Sequence, residues 1–327
     1  MKANHIEESI DMNQSIPVNE IVLPSKASRL ARAIWKHKAL YIIALPGIFY
    51  FFIFKYIPLL GTVIAFQNYN IFQGVTGSPW VGFAQFEKMF MYPEFARILK
   101  NTLIINFYDL LFGFTAPIIL ALMLNEVRKV LAKRIIQTVI YMPHFLSWVI
   151  ISGIFIGILS PSTGIVNTLI KAFGYDPVYF LAEESFIRPL IVGSGMWRDV
   201  GWGTIIYLAA LAGINPHLYE AAEVDGANRW QQTWNITIPS LLPTITILFL
   251  LQIGNFLDFG FERVYVFLNP LNRESGEIFD TYIYHAGLLQ NQFSYTTAIG
   301  IFKSVVGLIL LVGANFLSRK TTGNSLY

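Results

Sequence analysis

The sequence predicts an all-α integral membrane protein: six transmembrane helices, with a polar helix-turn-helix between the fourth and the fifth. Three observations predict it. Hydrophobic residues fill 54% of the 327 positions and charged residues only 13%, a balance outside the range of soluble domains. Apolar runs of about 20 residues, the length that crosses a bilayer core, recur along the chain. Lysine and arginine gather at alternate run ends, as expected where loops face the cytoplasm.

Composition also excludes some functions. There is no cysteine, which removes disulfides, thiolate metal sites and thiol nucleophiles. A net charge of +3, with basic residues scattered over loop ends, offers no surface for nucleic acid.

Residues 1–38 read as a cytoplasmic N-terminal tail, polar and without the apolar core of a secretory signal. Its basic end, ASRLARAIWKHK, is either an interfacial helix on the anionic inner leaflet of the lipid bilayer or a topology signal only. The membrane domain follows over 39–318. Its expected spans are 39–62, 102–124, 135–159, 188–212, 241–259 and 296–317, with a short cytoplasmic tail at 319–327. Pro46, Pro117 and Pro143 fall inside spans and predict kinks. SRLARAIWKHK before the first span, NEVRKVLAKR between the second and third, and SRK after the sixth put both termini inside. The longer Gly-, Pro- and aromatic-rich connections, 66–101 and 160–187, then face outward. Within the outer segments, GVTGSPWVGFAQF and NPLNRESGEIFD read as surfaces for an external protein or as plain covers of the bundle end.

The connection 213–239 must face the cytoplasm. Asn215 is a good N-cap with Pro216 at the first helical position, so a short helix starts there. Asp225-Gly226 stops it, glycine permitting the left-handed turn, and ANRWQQTWNI sets off as a second helix that re-enters the membrane at Pro239. Glu220 and Glu223 share a face, and Ala221 and Ala222 let another surface approach closely. Trp230, Trp234 and Ile236, at helical spacing, are expected to pack on the ends of neighbouring spans.

Charges inside spans are costly and need a reason. Arg198 lies about 21 Å from the cytoplasmic end of span four at 1.5 Å per residue, and Asn255 and Asp258 reach a similar height on span five. With Asp199 they form one polar layer, beside Trp197, Trp202, Phe256 and Phe259, whose faces suit a pyranose ring. Two readings stand for this layer: ion pairs that hold the bundle together, or a substrate path. Lys303 and Lys55 either snorkel to an interface or, for Lys303, face the path with Arg198, which would favour an acidic sugar. His144 and His285 show no metal or general-base pattern and read as packing residues.

The order EAA, DGA and I-x-I-P across 220–239 resembles the EAA motif of ATP-binding cassette (ABC) importer permeases. FKYIPLLGTVIAFQNYN, GSPWVGFAQF, YMPHFLSWVI, WRDVGWGTIIYLAALAGI and GEIFDTYIYHAGL extend the likeness to oligosaccharide permeases of the maltose class and LplB type. The resemblance implies a type I ABC importer permease fold in a bacterial inner membrane. It further implies a homologous six-helix permease partner, two cytoplasmic ATPase subunits that hold ATP and Mg, and an extracytoplasmic solute-binding protein. The cargo would be an oligosaccharide or polysaccharide fragment, acidic in the case of alginate or another uronate. Glu220, Ala221, Ala222, Glu223, Asp225, Gly226 and Pro239 would then form the ATPase-coupling element. The chain has no phosphate-binding loop of its own and would bind no cofactor. An ion-coupled transporter using Asp109, Asp199 and Asp258 is the rival reading, but no internal repeat supports it. A membrane enzyme on lipid-linked sugars would need convergent acid, base or metal groups at one membrane face, and the sequence shows none.

Overall fold

A computed structural model describes residues 35–322. The tail expected over 1–38 falls almost wholly outside that range, as do 323–327. The chain divides into two compact units after Leu60. In the first, helix α1 (Lys38–Phe51) carries Pro46 and continues through a π-helical turn, Phe52–Tyr56, to Ile57–Leu60. Its apolar side chains, Ile43 and Phe54 among them, are exposed, as suits a surface solvated by lipid.

The second unit is helical. Among the described residues β structure is limited to one isolated bridge, Gln67 to Trp80. The main helices are α2 (Ala84–Met91), α3 (Pro93–Asn125), α4 (Val130–Tyr141), α5 (Trp148–Leu159), α6 (Ile165–Ala172), α7 (Glu184–Ala212), α8 (Pro216–Val224), α9 (Arg229–Gly254), α10 (Phe261–Tyr265) and α11 (Phe293–Thr322). Four helical runs are long and apolar enough to cross a membrane: Lys38–Phe66, Pro93–Asn125, Arg229–Gly254 and Phe293–Lys320. The bent pair α4–α5 makes a fifth if it is one span. At 29 residues α7 is long enough as well, but Arg188, Arg198 and Asp199 make it too polar for that group.

Three of the prolines act through π-turns. A proline at position i removes one hydrogen bond and presses on the carbonyl of residue i−4. For Pro58, Pro117 and Pro239 that carbonyl belongs to Phe54, Gly113 and Asn235, each inside a π-helical turn (Phe52–Tyr56, Asp109–Gly113, Thr233–Thr237). The widened turn relieves the clash and the helix carries on. Pro143 behaves differently. The single span expected over 135–159 is instead two helices at 104°, joined by a 3-10 turn at Met142–Phe145. Ser147 then caps α5, its hydroxyl accepting from Ile150 N at 3.3 Å.

Three buried clusters fix which ends lie together. Ile105 of α3 packs with Ile187 and Ile191 of α7 and with Val264, Phe267 and Ile278. Met89, Phe95 and Ile98 pack with Phe279 and with Tyr295 of α11. Ala121 near the end of α3 packs with Tyr207 and Leu211 of α7 and Leu241 of α9. So α3 and α7 run parallel, and their C-terminal ends meet the middle of α9 at Leu241. The basic connection 126–134 and the α8 elbow therefore leave from the same end of the bundle. At the opposite end, Arg188 Nη2 donates to Asn101 Oδ1 at 2.9 Å and Arg188 Nε to the Ser275 carbonyl at 3.1 Å, while Asn101 Nδ2 donates to the Glu274 and Glu277 carbonyls.

Candidate functional site

The elbow is built as its sequence predicts. Asn215 Oδ1 accepts from His217 N at 3.0 Å and Pro216 opens α8. Gly226 has φ +79°, the left-handed region that glycine enters without strain. A capping box between Asn228 and Gln231 starts α9. One bond joins the arms, the Tyr219 hydroxyl with Thr237 Oγ1 at 2.9 Å, and Gln232 Nε2 ties the start of α9 to the turn by donating to the Ala227 carbonyl at 3.1 Å. Glu220, with a 69% exposed side chain, meets only His217, 2.9 Å away on its own helix; Glu223 meets Arg229 at 3.8 Å. Asp225 and Ala221 are exposed and Ala222 is half-buried. Trp230 and Trp234 were expected to pack on neighbouring spans and do not: they are 70% and 54% exposed and stack edge to face on each other at 5.9 Å. Pro239 sits just past the π-turn, inside α9 rather than at a re-entry break.

Inside the bundle, α3, α7 and α9 enclose a cavity of about 380 Å³ lined by Asp109, Asp199, Tyr207, Gln252, Asn255 and Arg263 among others. Its wall holds the most buried ion pair of the bundle interior, Arg263 Nη2 to Asp109 Oδ1 at 2.7 Å, with side chains 11% and 15% exposed. Arg263 Nε also donates to the Ile191 carbonyl at 3.2 Å, and the guanidinium lies 4.2 Å over the Phe259 ring. A Cβ on Gly195 would stand 2.0 Å from Arg263 Nη2, so the arginine crosses α7 where glycine leaves room. Sequence reasoning missed this pair. Arg263 was not singled out, and Asp109 figured only as a transporter carboxylate.

The expected polar layer is divided. Asp199 and Asn255 do line one cavity. Arg198 turns away from it: its Nη1 donates to Asp199 Oδ1 at 3.2 Å, its Nε to the Leu146 carbonyl at 3.4 Å, and it lies 4.7 Å over Trp148. His144 is no lone packing residue, since its Nδ1 is 2.8 Å from Asp199 Oδ1 and its ring stacks on Trp202 at 4.5 Å. These contacts pin the bend between α4 and α5 against α7. Trp197 lines a separate cavity with Pro143 and meets Phe155 edge to face at 5.8 Å. Helix α9 ends at Gly254, so Asn255, Phe256, Asp258 and Phe259 lie in the turn after it and not on span five; a φ of −102° at Asn255 marks the exit. Lys303 does not snorkel. It is bound to Asp280 and lies 3.8 Å from Asp258, beside a second cavity of about 230 Å³ that Asn255 also lines. Each carboxylate the ion-coupled reading needs, Asp109, Asp199 and Asp258, thus faces a cation. Among the described residues no three His, Asp or Glu side chains are grouped to hold a metal.

The bundle thus holds a cavity of paired charges and carries a capped polar elbow at one end. Residues 113–323 match the family of inner membrane components of binding-protein-dependent transport systems, and the chain belongs to that family. It is 46% identical over 320 residues to the protein LplB of Bacillus subtilis, covering 98% of this chain and 100% of that protein. It is 49% identical over 302 residues to the polygalacturonan/rhamnogalacturonan transport system permease protein YteP of the same bacterium, covering 92% and 94%. Among solved structures it matches, at a TM-score of 0.84 and 42% identity, a chain of a bacterial ABC transporter involved in the import of the acidic polysaccharide alginate, covering 90% of this chain and 99% of that one. A bacterial alginate ABC transporter in complex with an alginate pentasaccharide-bound periplasmic protein matches equally at 0.84, with 41% identity and 91% and 100% coverage.

Proposed function

We propose that the chain is a permease subunit of a binding-protein-dependent ABC importer that carries oligosaccharides, uronate-bearing ones included, into the cytoplasm. Its six spans would be α1, α3, the bent α4–α5, α7, α9 and α11, with both termini cytoplasmic. Its partners would be a second, homologous permease, two cytoplasmic ATPase subunits and a solute-binding protein outside. The observation that carries this reading is the elbow: a braced helix with exposed acids and small residues, leaving the bundle from the same end as the basic 126–134 connection. A segment so rigid and so little buried suits docking in a cleft of another protein.

Closure of the ATPase pair on ATP would push α8, and the Tyr219–Thr237 and Gln232–Ala227 bonds would pass the movement to α9. Helices α7 and α9 carry most of the cavity wall, so tilting them would open it to one side or the other. The sugar would move past Asp199 and Asn255, hydroxyls on the polar groups and ring faces on nearby aromatics. The chain is free of cysteine, which makes the test direct. A single cysteine at Ala221 in the assembled complex should crosslink to an ATPase subunit, and Gly226→Pro should uncouple ATP hydrolysis from import. An Ala221→Cys label reached only by reagents outside the cell would overturn the reading.

A further inference from the structure

Positive charge without a carboxylate of its own is concentrated outside the transmembrane cavity. In the bundle, Arg198, Arg263 and Lys303 each face an aspartate. At the end of the bundle opposite the elbow, two arginines share the buried Glu277 carboxylate and a third, Arg188, has none. Arg97 Nη2 is 3.2 Å from Glu277 Oε2 and Arg273 Nε is 3.8 Å from Oε1. Arg188 bonds only to the neutral Asn101 side chain and the Ser275 carbonyl. Glu184 and Glu274 are close in the chain, but neither forms an ion pair with these arginines; Glu184 accepts from the Ser275 hydroxyl at 2.7 Å.

A cavity of about 440 Å³ opens beside this cluster, between α5 and the segment 265–285, lined by Tyr265, Asn269, Arg273, Glu277, Thr281 and His285 among others. Arg273 Nε is buried against Glu277 without a hydrogen-bond acceptor, and of its outer nitrogens Nη1 has only a long contact, 3.4 Å, to His285 Nε2. Tyr265 is positioned by stacking on Phe261 at 4.7 Å and by a steeply inclined contact with Tyr284 at 5.3 Å, and it stays 47% exposed. A fixed aromatic face beside a guanidinium with unused donors matches a sugar ring that bears a carboxylate.

We propose that this cavity is a uronate subsite at the extracytoplasmic mouth: Tyr265 stacks on the apolar face of one pyranose, Arg273 takes its carboxylate, and Asn269 and His285 bond its hydroxyls. The proposal rests on the permease reading and its orientation, and places the selection for acidic sugar before entry to the bundle, whose own cations are neutralised.

The test uses the complete complex in proteoliposomes with its binding protein, a linear tetrauronate as probe, and the carboxyl-reduced neutral tetrasaccharide as control. Arg273→Gln should raise the KM for the tetrauronate on the order of tenfold, the loss of one charge-assisted bond pair, and leave the neutral probe unchanged. Tyr265→Ala, which touches no ion pair, should raise both. Equal effects of Arg273→Gln on the two probes, no effect of either variant, or import of the neutral probe alone by wild type would each overturn the subsite. So would weaker capture of the binding protein in place of a changed sugar preference, which would mark a docking face. Failure of wild type to import either probe or to show stimulated ATPase activity would sink the permease reading itself.

Discussion

The elbow and the middle of α7 use similar residues, acids beside aromatics, in opposite ways. In α7, Asp199 has both Arg198 and His144, Trp202 has the His144 ring, and Trp148 has the Arg198 guanidinium. In the elbow, Glu220 has a single contact one turn away and the two tryptophans have only each other. Charge within a bundle must be matched internally, because lipid supplies no counter-ion and a bare ion costs several kcal/mol. Charge at a water-facing end carries no such cost and can be kept for another protein. Internal pairing thus marks architecture, and its absence in a rigid, capped segment marks an interface.

The largest test of the internal side is Gly195→Leu. With no space between α7 and the Arg263 guanidinium, a side chain there must expel the arginine, and folded protein should fall below detection by size exclusion in detergent. Recovery of normal, stable protein would mean that Arg263 does not hold the place described. Next is Asp109→Ala, which strands the Arg263 charge and should cost about 3–5 kcal/mol in thermal unfolding. Replacing both partners at once, Asp109→Leu with Arg263→Met, should return most of that loss, because the desolvation cost disappears with the charges. If the double variant is no better than the single one, pairing is not what matters at this site.

Much of this contrast was readable from the chain, and the limits have physical causes. Asn215, Pro216 and Gly226 act through their own backbone neighbours, so the first helix and the turn of the elbow were legible, whereas the Asn228 cap and the pairing of Trp230 with Trp234 were not. Four of the expected spans, and a fifth if the bent pair is one, were legible because apolar length is a local property. A kink at Pro143 was expected but not its size, since a proline inside an apolar run can be absorbed by a π-turn, as at Pro117, or can break the helix, here by 104°, and tertiary contacts decide between them. Arg198 and Arg263 sit 65 positions apart in the sequence and both face Trp148, at 4.7 and 5.8 Å; no periodicity announces such a meeting. The Lys303–Asp280 pair was hidden for the same reason, its members lying on either side of the π-helical turn Ile283–Leu289.

On the exposed side, Glu220→Ala should leave unfolding within about 0.5 kcal/mol of wild type, as expected for a surface position. Import driven by ATP should nevertheless drop at least several-fold. Lost stability together with lost import would make the elbow an ordinary structural loop. Gly226→Val should add a cost of about 1 kcal/mol, since φ +79° is unfavourable for a branched side chain, and should also uncouple import by re-aiming α8.

Glu277, outside the spans, is the smallest and sharpest case, because it belongs to neither pattern: buried like the bundle charges, yet with more cations than carboxylates around it. Burial raises its carboxyl above the usual range, against the pull of Arg273, Arg97 and His285. A raised carboxyl binds its proton more tightly folded than unfolded. Its contribution to stability is therefore complete below the unfolded value and is lost as the pH rises through the folded one. Wild type should gain thermal stability relative to Glu277→Gln as the pH is lowered from about 7 towards 5, the variant having no proton to take up there. The opposite slope would mean that the arginines outweigh burial and hold the ionised form, leaving Arg273 committed to Glu277 rather than free for a ligand. A difference between the two proteins that does not change with pH would remove Glu277 from the electrostatics of that end of the bundle altogether.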